Sequence, residues 1–500
     1  MGDDDGSPEP HRRREDRGHL LMSQPPDPTY ALVDDLVVRE PLVLDGHLDV
    51  TAAAAAITDH GGGCAVIMGT GSGVSVLTDS AIRAWVASGA PPAGAAALAD
   101  RHPPCVPPGT SSAEAMITML EADASCVVVV DRADAVHGVV TARDFLVSPT
   151  TAGVSLHQQL RRAGSLDELS RRAARLPVTL RDFTRRGLAP SKVIAVHSSL
   201  IDTVVRRTIE LVLRRHGDLD PTAVTWLSLG SNGRREAVLS SDVDAAVIFR
   251  DDVDAQAIDS YRAGLGEVVT ELTRSGLTSD SHGATPAHRL FARTDEQWRA
   301  AGRQWLADPT QNKGAVLISL LVDGRPIYGD PGPTGVSLVL GELRTDPSAL
   351  RLLLEHSLLQ RARLRPLRTL LPRRHEPFNV KENALVPIVN LARWAALSSG
   401  SAELSTIERL RTAAGSAILP RAEAETLIEI FEVLQRIRLR YQFAQLDAGE
   451  QPSDVVVLDR LSPIDRSVIG QAVREISAVQ RRAANLSAAA PTDAWLEPST

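Results

Sequence analysis

The stretch between residues 224 and 249 constrains the fold of this chain more than any other part. The run Val224–Leu229 is apolar and has the length of a buried strand, and Ala245–Phe249 has the same character. Between them the sequence breaks at a turn containing Gly230 and Gly233 and continues as a short helix. Helices are predicted at 255–275 and 296–306, and a third strand at 315–322. This alternation predicts a compact α/β domain, which we place at residues 218–335.

The turn itself has the composition of an anion-binding site. Backbone N–H groups at a turn and at a helix start are free to bind phosphate oxygens. Gly230 allows a ligand to approach the backbone closely, and Ser231 adds a hydroxyl donor. These features predict that the turn holds phosphates.

Two aspartates precede the second strand. Asp242 and Asp244 are two residues apart, so their side chains leave the same face of a strand. Carboxylates this close repel one another unless a cation lies between them, and hard oxygen ligands suit magnesium (Mg²⁺) bound jointly with phosphates. Two such ions, about 3.5–4 Å apart, can activate an attacking oxygen and stabilise a leaving pyrophosphate.

Asp323 is the candidate for a third carboxylate, because it follows the predicted strand 315–322. A strand pairing beside 242–249 would bring Asp323 to the metal, where it could also act as the base toward an acceptor hydroxyl. A D-x-D pair alone is common at strand starts and usually has no chemical role. The ordered combination of strand, G-S-x-G-R-x-E turn, D-x-D and a later Asp favours a functional site.

Charge and composition exclude several classes of partner. The chain has 54 basic and 62 acidic residues, a net charge of −8, and only 3% aromatic residues. An acidic chain poor in aromatics is not typical of a nucleic-acid or anionic-membrane binder. No apolar run reaches the length of a membrane span, and the N-terminus has no signal-peptide pattern. Three scattered cysteines fit a reducing compartment. We expect a cytoplasmic protein without nucleic-acid or membrane partners.

The N-terminal part contains an internal repeat. Residues 29–150 read as two similar units of helix, strand, turn, strand and helix, with a period of about 60 residues. A strand in each unit ends at a threonine that opens a helix, Thr78 in the first and Thr141 in the second. The second copy reads T-x-x-D and ends in Asp144, whereas the first copy lacks the aspartate.

Three further segments complete the predicted organisation. Residues 1–28 are charged and Pro-rich, which predicts a disordered tail. Residues 151–217 read as a helical linker with a helix at 200–215, and residues 336–490 as a helical bundle. The predicted fold class is therefore α/β and multidomain.

The central stretch resembles the nucleotidyltransferase domain of GlnD-like proteins, the uridylyltransferases that modify PII signalling proteins. The similarity is greatest to bacterial relatives in which CBS domains precede the transferase domain, and it includes a later D-G-R-P-I-Y-G-D block at 323–330. The resemblance implies a polymerase-β-like nucleotidyltransferase fold. It also implies triphosphate contacts at Gly230, Ser231 and Gly233, and metal binding by Asp242, Asp244 and Asp323. Arg234 and Glu236 would shape the nucleotide site; an ion pair that only pins the turn is the alternative.

The resemblance extends into the C-terminal bundle, which looks like the substrate-binding helical domain of the same relatives. Lys381, Arg393 and Arg409 could face the nucleotide or its acceptor, although each alone also fits an ion-paired or solvated surface residue. One departure concerns 281–288, where these relatives carry a Cys- and Gly-rich stretch ending in Met; here the segment has neither Cys nor Met. This departure puts the identity of the acceptor in question.

The repeat at 29–150 resembles a pair of CBS motifs. In such motifs the Thr hydroxyl contacts phosphate and the Asp accepts from ribose hydroxyls, which implies an adenine-nucleotide site at Thr141 and Asp144, with Thr78 in the incomplete first copy. One site or none is implied, because the alternative is that both threonines only cap helices. CBS pairs commonly associate, so the resemblance also implies a homodimer.

The sequence thus predicts an enzyme that moves a nucleoside monophosphate from an NTP to a hydroxyl acceptor with Mg²⁺. A signalling protein is the expected acceptor, and the CBS pair is the expected regulator. The alternative is a non-catalytic adenine-nucleotide-sensing protein of signal transduction, in which the transferase fold only binds and relays.

Overall fold

The computed structural model describes most of the chain. The described residues are 32–489 without 38–39, 69–72, 92, 134, 143, 148–150, 186–187, 279–283, 309–313, 330–340, 344–345, 365–376 and 417. The predicted tail at 1–28, and Asp330 at the end of the D-G-R-P-I-Y-G-D block, lie outside them. No helix in the described ranges is both long enough and apolar enough to cross a membrane.

The N-terminal repeat is present, with a spacing of 62 residues between Cys64 and Cys126, which begin equivalent strands. The first unit contains β1 (Val43–Asp45), α1 (Val50–His60), β2 (Cys64–Met68), β3 (Ser75–Thr78), α2 (Asp79–Ser88) and α3 (Ala95–Leu98). The second contains β4 (Cys105–Val106), α4 (Ser112–Glu121), β5 (Cys126–Val130), β6 (Val136–Thr141) and a 3-10 turn at Asp144–Val147. In both sheets the middle strand pairs with one parallel and one antiparallel neighbour.

Four helices connect the repeat to the rest of the chain: α5 (Thr151–Arg161), α6 (Leu166–Ala173), α7 (Leu176–Arg185) and α8 (Pro190–Arg215). Helix α8 begins ten residues before the predicted start at 200, with Pro190 in its first turn, where a missing N–H costs nothing. The polar run His197–Ser199 obscured this first half in the sequence. In the structure these residues are buried, and His197 and Ser198 form hydrogen bonds with Ala237 of the central domain.

The central domain is a four-stranded sheet in the order β10-β7-β8-β9. Its strands are β7 (Val224–Ser228), β8 (Ala245–Phe249), β9 (Ala292–Thr294) and β10 (Arg325–Tyr328), and its helices are α9 (Gly230–Gly233), α10 (Ala255–Arg274), α11 (Asp295–Ala307) and α12 (Gly314–Val322). Both faces of the sheet are covered: Trp226 packs into one hydrophobic core and Leu227 into the other. Covered faces explain why β7 and β8 are apolar without alternation.

The predicted strand at 315–322 is wrong. This segment is helix α12, and most of its residues are buried in the core shared with the C-terminal bundle. A short, fully apolar run fits a buried helix as well as a buried strand, so its periodicity could not decide between them. The strand that follows Asp323 is β10, which pairs antiparallel with β7 and not with β8.

The C-terminal part is a helical bundle, as predicted. Its elements are α13 (Pro347–Ser357), β11 (Pro377–Asn379), a π-helical turn (Lys381–Leu385), α14 (Val386–Ser398), α15 (Thr406–Ala413), α16 (Arg421–Asp447), β12 (Val455–Val457) and α17 (Pro463–Ala489). Strands β11 and β12 form a small antiparallel pair at one end of the bundle. One core continues from this bundle to the sheet, and another joins the opposite face of the sheet to α8 and the second repeat unit.

Candidate active site

The glycine turn lies directly against the D-x-D segment. Gly230 has a φ of 55°, and a Cβ placed on it would lie 2.6 Å from Oδ2 of Asp244. Any larger residue would therefore displace the Asp244 carboxylate. The Asn232 side chain donates to the carbonyl of Asp242 at 2.7 Å, and the N–H of Leu229 donates to the carbonyl of Asp244 at 2.9 Å. These contacts hold the turn and both aspartates together.

The other end of the turn packs on the chain at Asp323. A Cβ on Gly233 would lie 1.9 Å from the carbonyl oxygen of Asp323 and 2.8 Å from that of Ser228. No real Cβ contact is this short, so glycine is required here by space. The close approach brings the residue after α12 to the back of the turn.

Asp242 and Asp244 are both partly accessible and stand just before β8. Within the described part of the chain, the Asp242 carboxylate has no hydrogen-bond or ion-pair partner. The same part contains no group of three or more His, Cys, Asp or Glu side chains that could hold a metal ion. Two adjacent carboxylates still fit Mg²⁺, which binds through one or two carboxylates and takes its other ligands from phosphates and water.

Asp323 is buried in an ion cluster. Its side chain is about 1% exposed and accepts from Arg234 Nη1 at 2.5 Å, Arg393 Nη2 at 2.7 Å and Arg409 Nη1 at 2.6 Å. Burial alone would raise the pKa of Asp323, but the charges of Arg393, Arg234 and Arg409 outweigh it and hold that pKa well below its usual value. Both carboxylate oxygens of Asp323 are bound by guanidinium groups, and the low pKa of Asp323 makes it a poor base.

These contacts correct the expectation that Asp323 joins Asp242 and Asp244 as a metal ligand and base. The expectation depended on a strand beside β8, and the chain forms a helix there. The role of Asp323 in this structure is to neutralise arginines that come from the turn and from the C-terminal bundle.

Arg234 and Glu236 form the ion pair that was the alternative to a nucleotide contact, with Arg234 Nε 2.8 Å from Glu236 Oε2. Glu236 also accepts from the backbone N–H of Thr406 at 2.6 Å and from its hydroxyl at 3.0 Å. Through Glu236 and Asp323, the turn is fixed to α14 and α15. Arg393 and Arg409 therefore point into this buried cluster.

A second contact joins the bundle to the D-x-D segment, and sequence reasoning missed it. Asp454 Oδ1 accepts from Ser240 Oγ at 2.6 Å and from Arg438 Nε at 2.6 Å, and Gln442 donates to both Ser240 and Asp454. Burial would raise the pKa of Asp454, but the charge of Arg438 lowers it below its usual value, with a smaller effect from Lys381. No local pattern marks such a contact, because its members are far apart in sequence.

The segment that departs from the GlnD-like pattern flanks the aspartates. The carbonyl of Thr278 accepts from the N–H of Val243 at 2.8 Å, and the carbonyl of Ala284 accepts from the N–H of Ala245 at 2.9 Å. Residues 279–283, between these two contacts, lie outside the described residues. Thr278, before this segment, and Ala284, within it, therefore meet the chain on either side of Asp244.

A cavity of about 780 Å³ lies between the two repeat units, within the usual range for a small-molecule site. Its walls include Thr78, Thr141 and three arginines, Arg83, Arg161 and Arg162. Thr78 caps α2 through the N–H of Ala81, as the capping alternative predicts. Asp144 lies in an adjoining cavity of about 250 Å³ and accepts from both the N–H and the hydroxyl of Thr141 at 2.7 Å.

Three family models match the chain in the predicted order. They are a CBS domain over residues 95–148, "Putative nucleotidyltransferase DUF294" over 174–312, and "Putative nucleotidyltransferase substrate binding domain" over 347–486. The transferase match contains the turn, Asp242 and Asp244, and ends before Asp323. Of the two repeat units, the second lies in the CBS match. No curated protein matches this chain.

Three similar solved structures each cover about a quarter of this chain. A CBS domain protein from Pyrobaculum aerophilum, PAE2072 complexed with AMP, is 21% identical, with a TM-score of 0.23, over 24% of this chain and 95% of that one. A putative acetoin utilization protein from Vibrio cholerae, AcuB, is 18% identical (TM-score 0.21; 23% and 87% covered). Staphylococcus aureus OpuCA is 13% identical (TM-score 0.19; 22% and 93% covered).

Proposed function

The chain belongs to the DUF294 family of nucleotidyltransferases with a CBS domain, and from that premise we propose that it transfers a nucleoside monophosphate from an NTP to a hydroxyl acceptor. The acceptor class is a signalling protein, as for the PII-type uridylyltransferases that the sequence resembles. The observation that carries this proposal is the direct packing of the Gly230 turn on Asp244. It joins the turn that we propose to bind phosphates to the two carboxylates just before β8.

The proposed roles follow from this geometry. The backbone N–H groups of the turn and the Ser231 hydroxyl bind the triphosphate. Asp242 and Asp244 would hold Mg²⁺ together with phosphate oxygens. When bound, Mg²⁺ would offset the negative charge of the triphosphate and of both carboxylates. The Arg234–Asp323 cluster keeps the turn in place from behind and does not take part in proton transfer.

The cavity between the repeat units is the proposed regulatory site. Its volume suits a nucleotide, and Arg83, Arg161 and Arg162 supply positive charge for phosphates. We propose an adenine nucleotide as the ligand and a homodimer as the assembled form. Titration of AMP, ADP and ATP into the full chain tests the identity of the ligand. Asp144→Ala should weaken nucleotide binding, because the resemblance to CBS motifs assigns the ribose hydroxyls to Asp144.

A labelling experiment tests the transfer reaction. Purified protein is incubated with Mg²⁺, cell extract and either ATP or UTP labelled in the α-phosphate. We expect a labelled protein band with the wild type and with the control Asp252→Asn, an exposed aspartate beyond β8. Asp242→Asn and Asp244→Asn should remove the label. Labelling that survives both substitutions would contradict the proposal.

One observation favours a second candidate, a non-catalytic nucleotide sensor. The third predicted metal ligand, Asp323, is neutralised by arginines, which leaves Asp242 and Asp244 of the three predicted ligands. A sensor would bind the NTP with the same dependence on Asp242 and would transfer nothing. Binding without any labelled product therefore separates the two functions.

A further inference from the structure

Two backbone conformations stand apart in this molecule. In the described ranges, Asp123 with a φ of 51° and Arg235 with a φ of 59° are the only residues other than glycine in the left-handed region. Asp123 follows α4 in the second repeat unit, and Arg235 belongs to the glycine turn of the transferase domain. Residues with a Cβ adopt this conformation rarely, and they keep it where surrounding contacts impose it, often at switch regions.

An ion pair joins these two turns. Arg235 Nη1 lies 2.6 Å from Oε2 of Glu121, the last residue of α4 and two positions before Asp123. Both side chains are about 30% exposed. The pair lies in the wall of a cavity of about 740 Å³ between the repeat unit, the transferase domain and the bundle, which leaves room for the side chains to move.

The Asp123 end of this connection faces the regulatory cavity. Asp123, His157 and Arg161 all line that cavity. Asp123 Oδ1 lies 3.4 Å from His157 Nε2 and 3.3 Å from Arg161 Nε, and Oδ2 lies 3.3 Å from Arg206 Nη1. Arg206 also donates to the carbonyl of Ile327 at 2.8 Å, in β10, the strand that pairs with β7. An anion in the cavity would compete with Asp123 for Arg161.

We propose that the turn at 121–123 couples the regulatory cavity to the glycine turn at 230–236. An anionic ligand draws Arg161 away from Asp123, and the shift of this strained turn moves Glu121 and therefore Arg235. The conformation of residues 231–236 then depends on whether the cavity is occupied. The inference rests on the proposed function for the ligand of the cavity and for the effect on NTP binding, whereas the contact between the two turns is independent of it.

Hydrogen exchange on the full chain tests the coupling without any ligand. Glu121→Gln should raise amide exchange at 231–236 by about tenfold, since the ion pair that holds Arg235 is lost. Asp123→Asn should change the exchange rate of the same amides in the wild-type background. It should cause no further change in the Glu121→Gln background. The control is Glu114→Gln, which removes another pair between α4 and α8, 3.7 Å from Lys192, and should leave these amides unchanged.

Binding of MgATP and MgUTP gives the second readout. Glu121→Gln should change the NTP affinity by about fivefold or more, and the charge swap of Glu121→Arg with Arg235→Glu should restore it. Additive effects of Asp123→Asn and Glu121→Gln, or unchanged exchange at 231–236, would overturn the coupling. If the wild type binds no NTP, the proposed function fails, and the exchange data alone decide the coupling.

Discussion

At the scale of single residues, Asp323 is the buried counter-ion of three arginines. The buried cluster contains three guanidinium groups, from Arg234, Arg393 and Arg409, and two carboxylates, Asp323 and Glu236. Removing one carboxylate leaves buried positive charges without a partner, which is far more costly than the loss of a surface ion pair.

Asp323→Asn should therefore lower the free energy of unfolding by about 3–5 kcal/mol. The pKa of Asp323 in the folded state lies below the unfolded value of about 3.8. The stability that this carboxylate contributes is therefore fully present above pH 3.8 and is lost only as the pH falls below 3.8. Urea unfolding at pH 7.5 measures the effect in full, with Asp252→Asn as the control. A loss under 1 kcal/mol would show that the cluster is not held by this carboxylate.

The burial of His197 makes the stability of the protein depend on pH. It is buried in α8 and its Nδ1 donates to the carbonyl of Ala237 at 3.0 Å. Burial lowers the pKa of His197 from 6.5 to about 4, with a small opposing effect from that hydrogen bond. The folded state therefore resists a proton that the unfolded state accepts, and stability falls as the pH drops from about 6.5 to about 4.

The expected loss over this window is about 3 kcal/mol, since one pKa unit corresponds to about 1.4 kcal/mol. Urea midpoints of the wild type and of His197→Asn at pH 7.5, 6, 5 and 4 measure it. The variant should lose less stability than the wild type across this series. Parallel curves for the two proteins would rule out His197 as the titrating group.

At the scale of elements, the glycine turn packs so closely on the backbone at Asp323 that Gly233 has no room for a side chain. Gly233→Ala puts a methyl group against the Asp323 carbonyl, so either the turn or the segment after α12 must shift. We expect a loss of stability of roughly 1–3 kcal/mol and a marked loss of NTP affinity. Gly217→Ala is the matched control, because nothing lies within 4 Å of a Cβ there. Equal NTP binding by both variants would mean that the turn tolerates the shift.

Two elements of the central domain were predicted well from the sequence. Strand β8 has the predicted bounds, and α10 ends one residue before its predicted end. Helix α12 and strand β10 were not predicted correctly, because the first is apolar on every side and the second contains Arg and Pro. The first half of α8 was missed because its buried face includes the polar run His197–Ser199.

At the scale of the whole molecule, three parts of the chain meet at the glycine turn. Glu121 reaches it from the repeat unit, His197 and Ser198 from α8, and Thr406 from the bundle. The sequence predicted the close approach of the turn and the D-x-D pair, because both lie within one short stretch. It could not predict the Asp323 cluster, whose arginines lie 70 to 89 positions away.

Binding of Mn²⁺, a paramagnetic substitute for Mg²⁺, tests the central claim most directly. Electron paramagnetic resonance of the full chain with non-hydrolysable ATP or UTP analogues counts the bound ions. The account predicts tight Mn²⁺ binding that requires the nucleotide, persists in Asp252→Asn and is lost in both Asp242→Asn and Asp244→Asn. Undiminished Mn²⁺ and nucleotide binding by the Asp242 and Asp244 variants would contradict it.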